Sequence, residues 1–247
     1  MDKLLYLSMT GATQSMLAQT AHANNLANVN TTGFKSDLAQ ARAMPVIGAG
    51  FQSRVYAMTE RPATDLSAGA NNSTGRELDV AIQGSGWIAV QASDGGEAYT
   101  RAGELHVDAV GQLRTGSGLP VLGDGGPIVL PPSSKIEIGA DGTVTVRVEG
   151  SQARELAVVD RIKLVNPDPQ TLSKGQDGLL RVNGGADAAI DPLVRLKSGY
   201  VETSNVNAVN ELTSLIDLSR RFEMNIKMMK SAEENATAAA RVLQDIG

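Results

Sequence analysis

Two long stretches at opposite ends of this chain repeat apolar or small side chains every three or four residues, the period of one face of an α-helix. The first, residues 3–28, sets Leu5, Met9, Ala12, Met16, Ala23 and Leu26 along one stripe, with Gln19 filling the gap. The second, residues 205–246, does the same with Leu215, Leu218, Phe222, Met229, Ala232, Ala236, Ala239 and Leu243, with Asn225 in its gap. There Arg220, Arg221, Glu223, Lys227, Lys230, Glu233 and Glu234 mostly occupy the other faces. Seams this rich in alanine cannot bury enough area to hold either helix alone, so both are expected to be largely disordered in an isolated chain. Helices at opposite ends can pair only if the termini meet, which makes the chain between them an insertion. Neither has a helical partner elsewhere in the sequence, so their remaining apolar surface is expected to meet other chains. The expected assembly interface is Leu5, Met9, Ala12, Met16 and Leu26 on the first helix, with Leu215, Leu218, Phe222, Met229 and Leu243 on the second.

Turn chemistry marks the ends of these helices. Asn28-Val29-Asn30-Thr31-Thr32-Gly33 can take the left-handed backbone that stops a helix, and Ser204 or Asn205 can cap the second one. Residues 34–79 lack a strong period and read as extended segments and loops, punctuated by Pro45, Gly48, Gly50 and Pro62. Residues 80–185 alternate short apolar runs with turn signals. Val80-Ala81-Ile82 precedes Gly84-Ser85-Gly86 and Trp87-Ile88-Ala89-Val90, and Asp141-Gly142 sits between two strand-like runs as a hairpin signal. The fold class is therefore α+β: terminal helices pairing as a coiled-coil-like layer around an inserted all-β domain. The expected division is 1–33 with 205–247 as a discontinuous helix domain, 34–79 with 186–204 as an extended connector, and 80–185 as the β-domain.

Composition removes several functions. The net charge is −5 and no basic block occurs, which disfavours a nucleic-acid partner. Aromatic residues make up 3% of the chain, thin for a small-molecule pocket built on rings. With no cysteine there are no disulfides, thiolate metal sites or Cys nucleophile. The two histidines, His22 and His106, read as surface or packing residues, since neither has a Ser and a carboxylate at nucleophile-elbow spacing. Asp124, Asp141 and Asp177 each precede a glycine, as turns require, with no calcium-loop ligand pattern around them. No catalytic, cofactor or metal site is expected. No run of about 18 apolar residues is present. Lys3 followed by Leu4-Leu5-Tyr6-Leu7 faintly resembles a secretory signal, but Thr10, Thr13, Gln14 and Ser15 interrupt it, so an uncleaved N-terminus is expected.

Two segments carry a more specific message: Ala23-Asn24-Asn25-Leu26-Ala27-Asn28-Val29-Asn30-Thr31-Thr32-Gly33-Phe34-Lys35 and Ser198-Gly199-Tyr200-Val201-Glu202-Thr203-Ser204-Asn205-Val206-Asn207. Together they resemble the terminal signatures of the bacterial flagellar rod and hook proteins, one closing the first helix and the other opening the second. Glu77-Leu78-Asp79-Val80-Ala81-Ile82-Gln83-Gly84-Ser85-Gly86-Trp87, with Tyr99-Thr100-Arg101-Ala102-Gly103, is similar to the inner β-domain of that family. Arg220-Arg221-Phe222-Glu223-Met224 resembles the proximal-rod type rather than the distal one. The resemblance marks Asn24, Asn25, Leu26, Ala27, Asn28, Gly33, Phe34, Gly199, Tyr200, Glu202, Ser204 and Asn205 as family positions. It implies a rod subunit that polymerises with itself and related rod proteins, proximal and distal. It also implies contact with the inner-membrane ring and adjoining basal-body components, and delivery to the periplasm by the flagellar type III export apparatus without a cleaved signal. It implies no small-molecule substrate. The competing expectation is a periplasmic binding module or a peptidoglycan-active accessory protein, which would need two carboxylates flanking a cleft.

Overall fold

A computed structural model describes residues 4–45, 55–148 and 157–245. The chain forms two compact units: residues 1–27, 37–64 and 207–247 make the first, and residues 28–36 and 65–206 the second.

The first unit holds α1 (Leu4–Ala27), β1 (Asp37–Pro45), β2 (Val55–Thr64) and α2 (Ala208–Asp245). The two helices pack together. His22 meets Glu211 and Gly11 meets Asn225, so they run antiparallel. On α2 the less exposed positions are Ala208, Glu211, Ser214, Leu215, Leu218, Phe222, Asn225, Met229 and Ala232, most of them spaced by four and three. The stripe on α1 differs from the expected one. Ser8, Ala12, Ser15, Ala18 and Asn25 are buried, while Leu5, Met9 and Met16 are 39%, 50% and 56% exposed. Ala12 is thus buried, Leu26 is half-buried, and Leu5, Met9 and Met16 turn outward. Size explains the shift, because a seam that receives Leu, Phe and Met from α2 has room only for small side chains from α1. Leu243 lies in the last turns of α2, its side chain outside the described residues.

Strands β1 and β2 form an antiparallel pair running from Asp37 opposite Thr64 to Pro45 opposite Val55, with a register shift between Leu38 and Gln40. Part of the stretch expected as extended segments and loops is therefore a long hairpin belonging to the helix unit. The cap of α2 also differs from expectation. Asn207, not Ser204 or Asn205, accepts the amide N–H groups of Val209 (3.0 Å) and Asn210 (3.2 Å), because the Asn205 side chain is engaged at a distance from the helix.

The second unit is β-rich. Its largest sheet has five strands in the order Leu164–Val165, Trp87–Gln91, Glu97–Thr100, Leu180–Val182, Leu172–Lys174. A three-stranded sheet follows the order Ser133–Ile138, Thr143–Val148, Ala157–Arg161. The Asp141-Gly142 hairpin appears as expected, with Gly142 at φ 87°, a value that favours glycine. Alternation along Trp87–Gln91 feeds two cores. Ile88 and Val90 join Leu105, Leu113, Ile128 and Leu164, while Trp87 and Ala89 join Tyr99, Val165 and Leu180. Residues expected as connector are strands of this unit: Arg195–Ser198 pairs with Val80–Gln83, and Asn71–Ser73 with Tyr200–Glu202.

Candidate assembly surfaces

In the helix unit, the seam ends in a polar layer. The His22 imidazole and the Glu211 carboxylate approach to 2.5 Å through Nδ1 and Oε2. Buried Asn25 donates from Nδ2 to the Asp37 carbonyl at 2.9 Å and to Glu211 Oε1 at 3.3 Å, and it accepts the Asp37 amide at 2.9 Å. One side chain thereby ties α1 to the first residue of β1 and to the first turn of α2. An acidic residue in that turn also suits the positive end of the helix dipole. Farther along, Gly11 lets α2 approach so closely that an added Cβ would sit 3.0 Å from the Asn225 amide oxygen. A shallow groove of about 610 Å³ runs beside the pair, lined among others by Gln14, Ala18, Leu218, Arg221 and Met224.

The outward side of α1 is the least ordinary surface of this unit. From Leu4 to Ala27 there is no Asp, Glu, Lys or Arg. Leu5, Met9 and Met16, with Tyr6 and Leu17 at 54% exposure each, form a broad uncharged apolar face that is exposed among the described residues. Soluble surface helices normally place charges there.

In the β-rich unit, the family positions converge on a buried ion triad. Glu202, 1% exposed, accepts from Lys35 Nζ at 2.5 Å, from Arg101 Nη1 at 2.8 Å and from the Gly69 amide at 2.9 Å. Arg101 also donates to the Gly86 and Gly84 carbonyls, and Lys35 to the Ser67 carbonyl. The guanidinium lies 5.0 Å and the ammonium 5.9 Å from the centre of the Trp87 ring. Burial pushes the Glu202 carboxyl pKa up, but the hydrogen bonds from Lys35 and Arg101 outweigh that and hold it below the ordinary glutamate value. Burial outweighs the Glu202 hydrogen bond for Lys35, and the nearby Arg101 charge adds to it, so the ammonium pKa falls below the ordinary lysine value.

Around the triad, Gly33 takes φ 67°, donates its amide to the Glu202 carbonyl at 2.8 Å, and has no room for a Cβ, which would lie 2.2 Å from the Ala102 nitrogen. Asn205 accepts the Ser36 amide and donates to the Asp65 carbonyl. Phe34 lies under the Lys174 ammonium at 4.0 Å, and Tyr200 under that of Lys197 at 3.6 Å. Gly199, at φ 78°, offers its carbonyl to the Thr74 amide, and Ser204 is buried. Asn24 and Ala27 are exposed and Asn28 is half-buried. Reading by motif left Lys35, Arg101 and His22 out of the marked positions. The available signal was charge, since Lys35 and Arg101 each stand close to apolar or glycine-rich sequence. Among the described residues no group of three His, Asp or Glu side chains is placed to hold a metal.

Residues 5–35 match the flagella basal body rod protein family, residues 81–146 the D1 domain of the flagellar hook protein FlgE/F/G, and residues 197–242 the C-terminal region of the flagellar basal body rod FlgEFG proteins. The chain is 41% identical to the flagellar basal-body rod protein FlgF of Escherichia coli K12, over 98% of this chain and 99% of the relative. It is 35% identical to the FlgF of Caulobacter vibrioides over the full length of both chains. It is 33% identical to the flagellar basal-body rod protein FlgG of Bacillus subtilis, over 95% and 96% of the two.

Proposed function

The chain belongs to the bacterial flagellar basal-body rod proteins and is a structural subunit of that rod, and from this premise we propose how it assembles. The paired terminal helices form the contact layer, a coiled-coil-like pair whose outer faces meet neighbouring subunits. The β-rich unit keeps its own core and does not depend on that contact. The subunit occupies the proximal rod, polymerising with its own kind and with related rod proteins up to the distal segment, and forming part of the shaft through the periplasm that motility requires. Its other partners are the inner-membrane ring, the adjoining basal-body components and the type III export apparatus, which delivers it with its N-terminus intact. The observation that carries this reading is the uncharged, exposed outer face of α1 beside an α2 whose seam is already occupied. The alternative, a binding module or peptidoglycan-active accessory protein, is not favoured, because the match to rod proteins runs the length of the chain.

Phe222→Asp tests the assembly reading. Phe222 is the only aromatic residue of α2 and half-buried mid-seam, so the substitution places an unpaired charge between the helices. We expect a soluble, exported subunit with an unchanged melting transition of the β-rich unit, no incorporation into the rod and no swimming. Cells that swim normally with Phe222→Asp would overturn assembly through the helix pair.

A further inference from the structure

Asparagine is chemically labile wherever the backbone nitrogen of the next residue reaches its side-chain carbonyl carbon. Most asparagines of this chain are denied that reaction by their surroundings. Asn25 is buried, and its carboxamide is engaged by Asp37 and Glu211. Asn205 is held by Ser36 and Asp65, and Asn207 caps α2. The N–H that follows Asn30 donates to the Asn28 carbonyl at 3.1 Å. Asn72 is paired within its strand, Asn225 and Asn235 lie inside α2, and Asn166 precedes Pro167, which has no N–H.

Asn183 differs on each count. It belongs to the one Asn-Gly pair of the sequence, and with Gly184 and Gly185 it forms an exposed turn just past strand Leu180–Val182. Among the described residues, neither its carboxamide nor the Gly184 N–H has a hydrogen-bond partner. Gly184 and Gly185 take φ 99° and 72°, and no heavy atom lies within 4 Å of where a Cβ would stand on either, so nothing crowds the approach. Upstream the residue is fixed, because its own N–H donates to the Thr171 carbonyl at 2.7 Å. Downstream the turn is closed by a longer bond, from the Gly185 N–H to the Val182 carbonyl at 3.3 Å.

We propose that Asn183 is a site of spontaneous deamidation in the folded chain. The Gly184 nitrogen bonds to the Asn183 side-chain carbonyl carbon and gives up its proton. The carbon–nitrogen bond of the carboxamide breaks, and that nitrogen leaves as ammonia. Water then opens the cyclic imide at either of its carbonyl carbons. Opening at one restores the main chain with an aspartyl side chain, and opening at the other leaves an isoaspartyl link with an extra carbon in the main chain. Both products add one negative charge, and the sequence of steps consumes only water. The isoaspartyl link also lengthens the path from Val182 to Gly185 and removes the bond that closes the turn. Strand Leu172–Lys174, at the edge of the five-stranded sheet, then loses the clamp on its pairing with Leu180–Val182, while Leu180 stays in its core with Trp87 and Tyr99. The inference does not rest on the rod-subunit reading.

The purified full-length chain is aged in warm, mildly alkaline buffer, digested and mapped by mass spectrometry, with a protein isoaspartyl methyltransferase detecting the isoaspartyl form. A synthetic peptide of residues 178–188 sets the rate of an unconstrained chain. The expected result is that the peptide containing position 183 gains the mass difference between amide and acid and splits into two isomeric products, in step with a more acidic band on isoelectric focusing of the whole chain. Asn183→Gln, which keeps an amide but forms the ring far more slowly, should lose that band. In the aged natural chain, the amides of Leu172–Lys174 should exchange faster than in the fresh chain, and those of Trp87–Gln91 at an unchanged rate. Conversion of the synthetic peptide without conversion of position 183 in the folded chain would overturn the proposal, as would faster conversion at another asparagine. Unchanged exchange along Leu172–Lys174 after conversion would overturn the loosening of the sheet edge.

Discussion

In the β-rich unit Ile88, Leu105, Leu113 and Leu164 retain 2% or less of their exposure, whereas in the helix unit Leu5, Met9, Met16 and Leu17 retain 39% or more. The β-rich unit completes its core within one chain, down to a buried carboxylate answered by two cations and an amide. The helix unit buries one seam and leaves Leu5, Met9, Met16 and Leu17 on the opposite side of α1 exposed. Closed packing gives a part that folds independently of its neighbours, and open packing gives a part whose stability waits on them.

The largest effect should come from the triad. Glu202→Ala leaves the Lys35 and Arg101 cations buried without their carboxylate, and such a loss costs about 3–5 kcal/mol. Thermal or urea unfolding of the isolated chain should show the β-rich transition falling by that amount. A change confined to the helices would mean that the triad does not belong to that core. Acid should act in the same direction. The folded-state pKa of Glu202 is depressed below the ordinary value of 4.5, so its contribution is fully present above that pH and is lost as pH falls through the folded value. Melts collected from pH 7 downward should therefore steepen their decline below about pH 4.5 in the natural chain and show a shallower acid dependence in Glu202→Ala. Equal slopes would remove the triad from the acid response.

A smaller and differently placed effect is expected from Asn25→Ala. It removes the Asn25 hydrogen bonds to the Asp37 amide and carbonyl and takes one donor from Glu211, a loss of about 1–3 kcal/mol. Amide exchange should quicken along the C-terminal half of α1 and at β1, while the β-rich melting transition stays in place. A shift of that transition would show that the two units unfold together. The smallest effect is local. In the isolated natural chain, amides of 233–241 should exchange fastest among the described helical residues, those of the paired stretches 8–25 and 211–229 more slowly, and those of Trp87–Gln91 slowest. Strong protection of 233–241 in the monomer would show that the end of α2 is stable without a neighbour.

How much of this was legible in the sequence depended on whether charge marked direction. The seam of α2 could be read because Leu218, Phe222 and Met229 stand apart from Arg220, Lys227 and Lys230 around the helix. On α1 the same method chose the largest apolar residues and so picked the outward side, because no charged residue marks which side faces water. Trp87 at the head of a buried strand and the Asp141-Gly142 hairpin were both readable, since strand alternation and turn chemistry are local. The triad was not. Its partners lie 167 and 101 residues apart along the chain, and no local rule relates Lys35 or Arg101 to Glu202. The cap of α2 was misplaced for a related reason, in that Asn205 has the right chemistry but is already held by Ser36 and Asp65.

By itself the sequence determined that this chain has two long terminal helices, a strand-rich middle and no thiol chemistry, because periodicity, turn residues and composition are local or summed properties. It also determined the family, through motifs short enough to survive as strings. Only the tertiary structure decided which stripe of α1 is buried, where α2 loses its partner, and that Lys35, Arg101 and Glu202 neutralise one another away from water. Those outcomes follow from side-chain volume and charge meeting across distant parts of the chain, and a pairing of that kind exists only after the chain has folded.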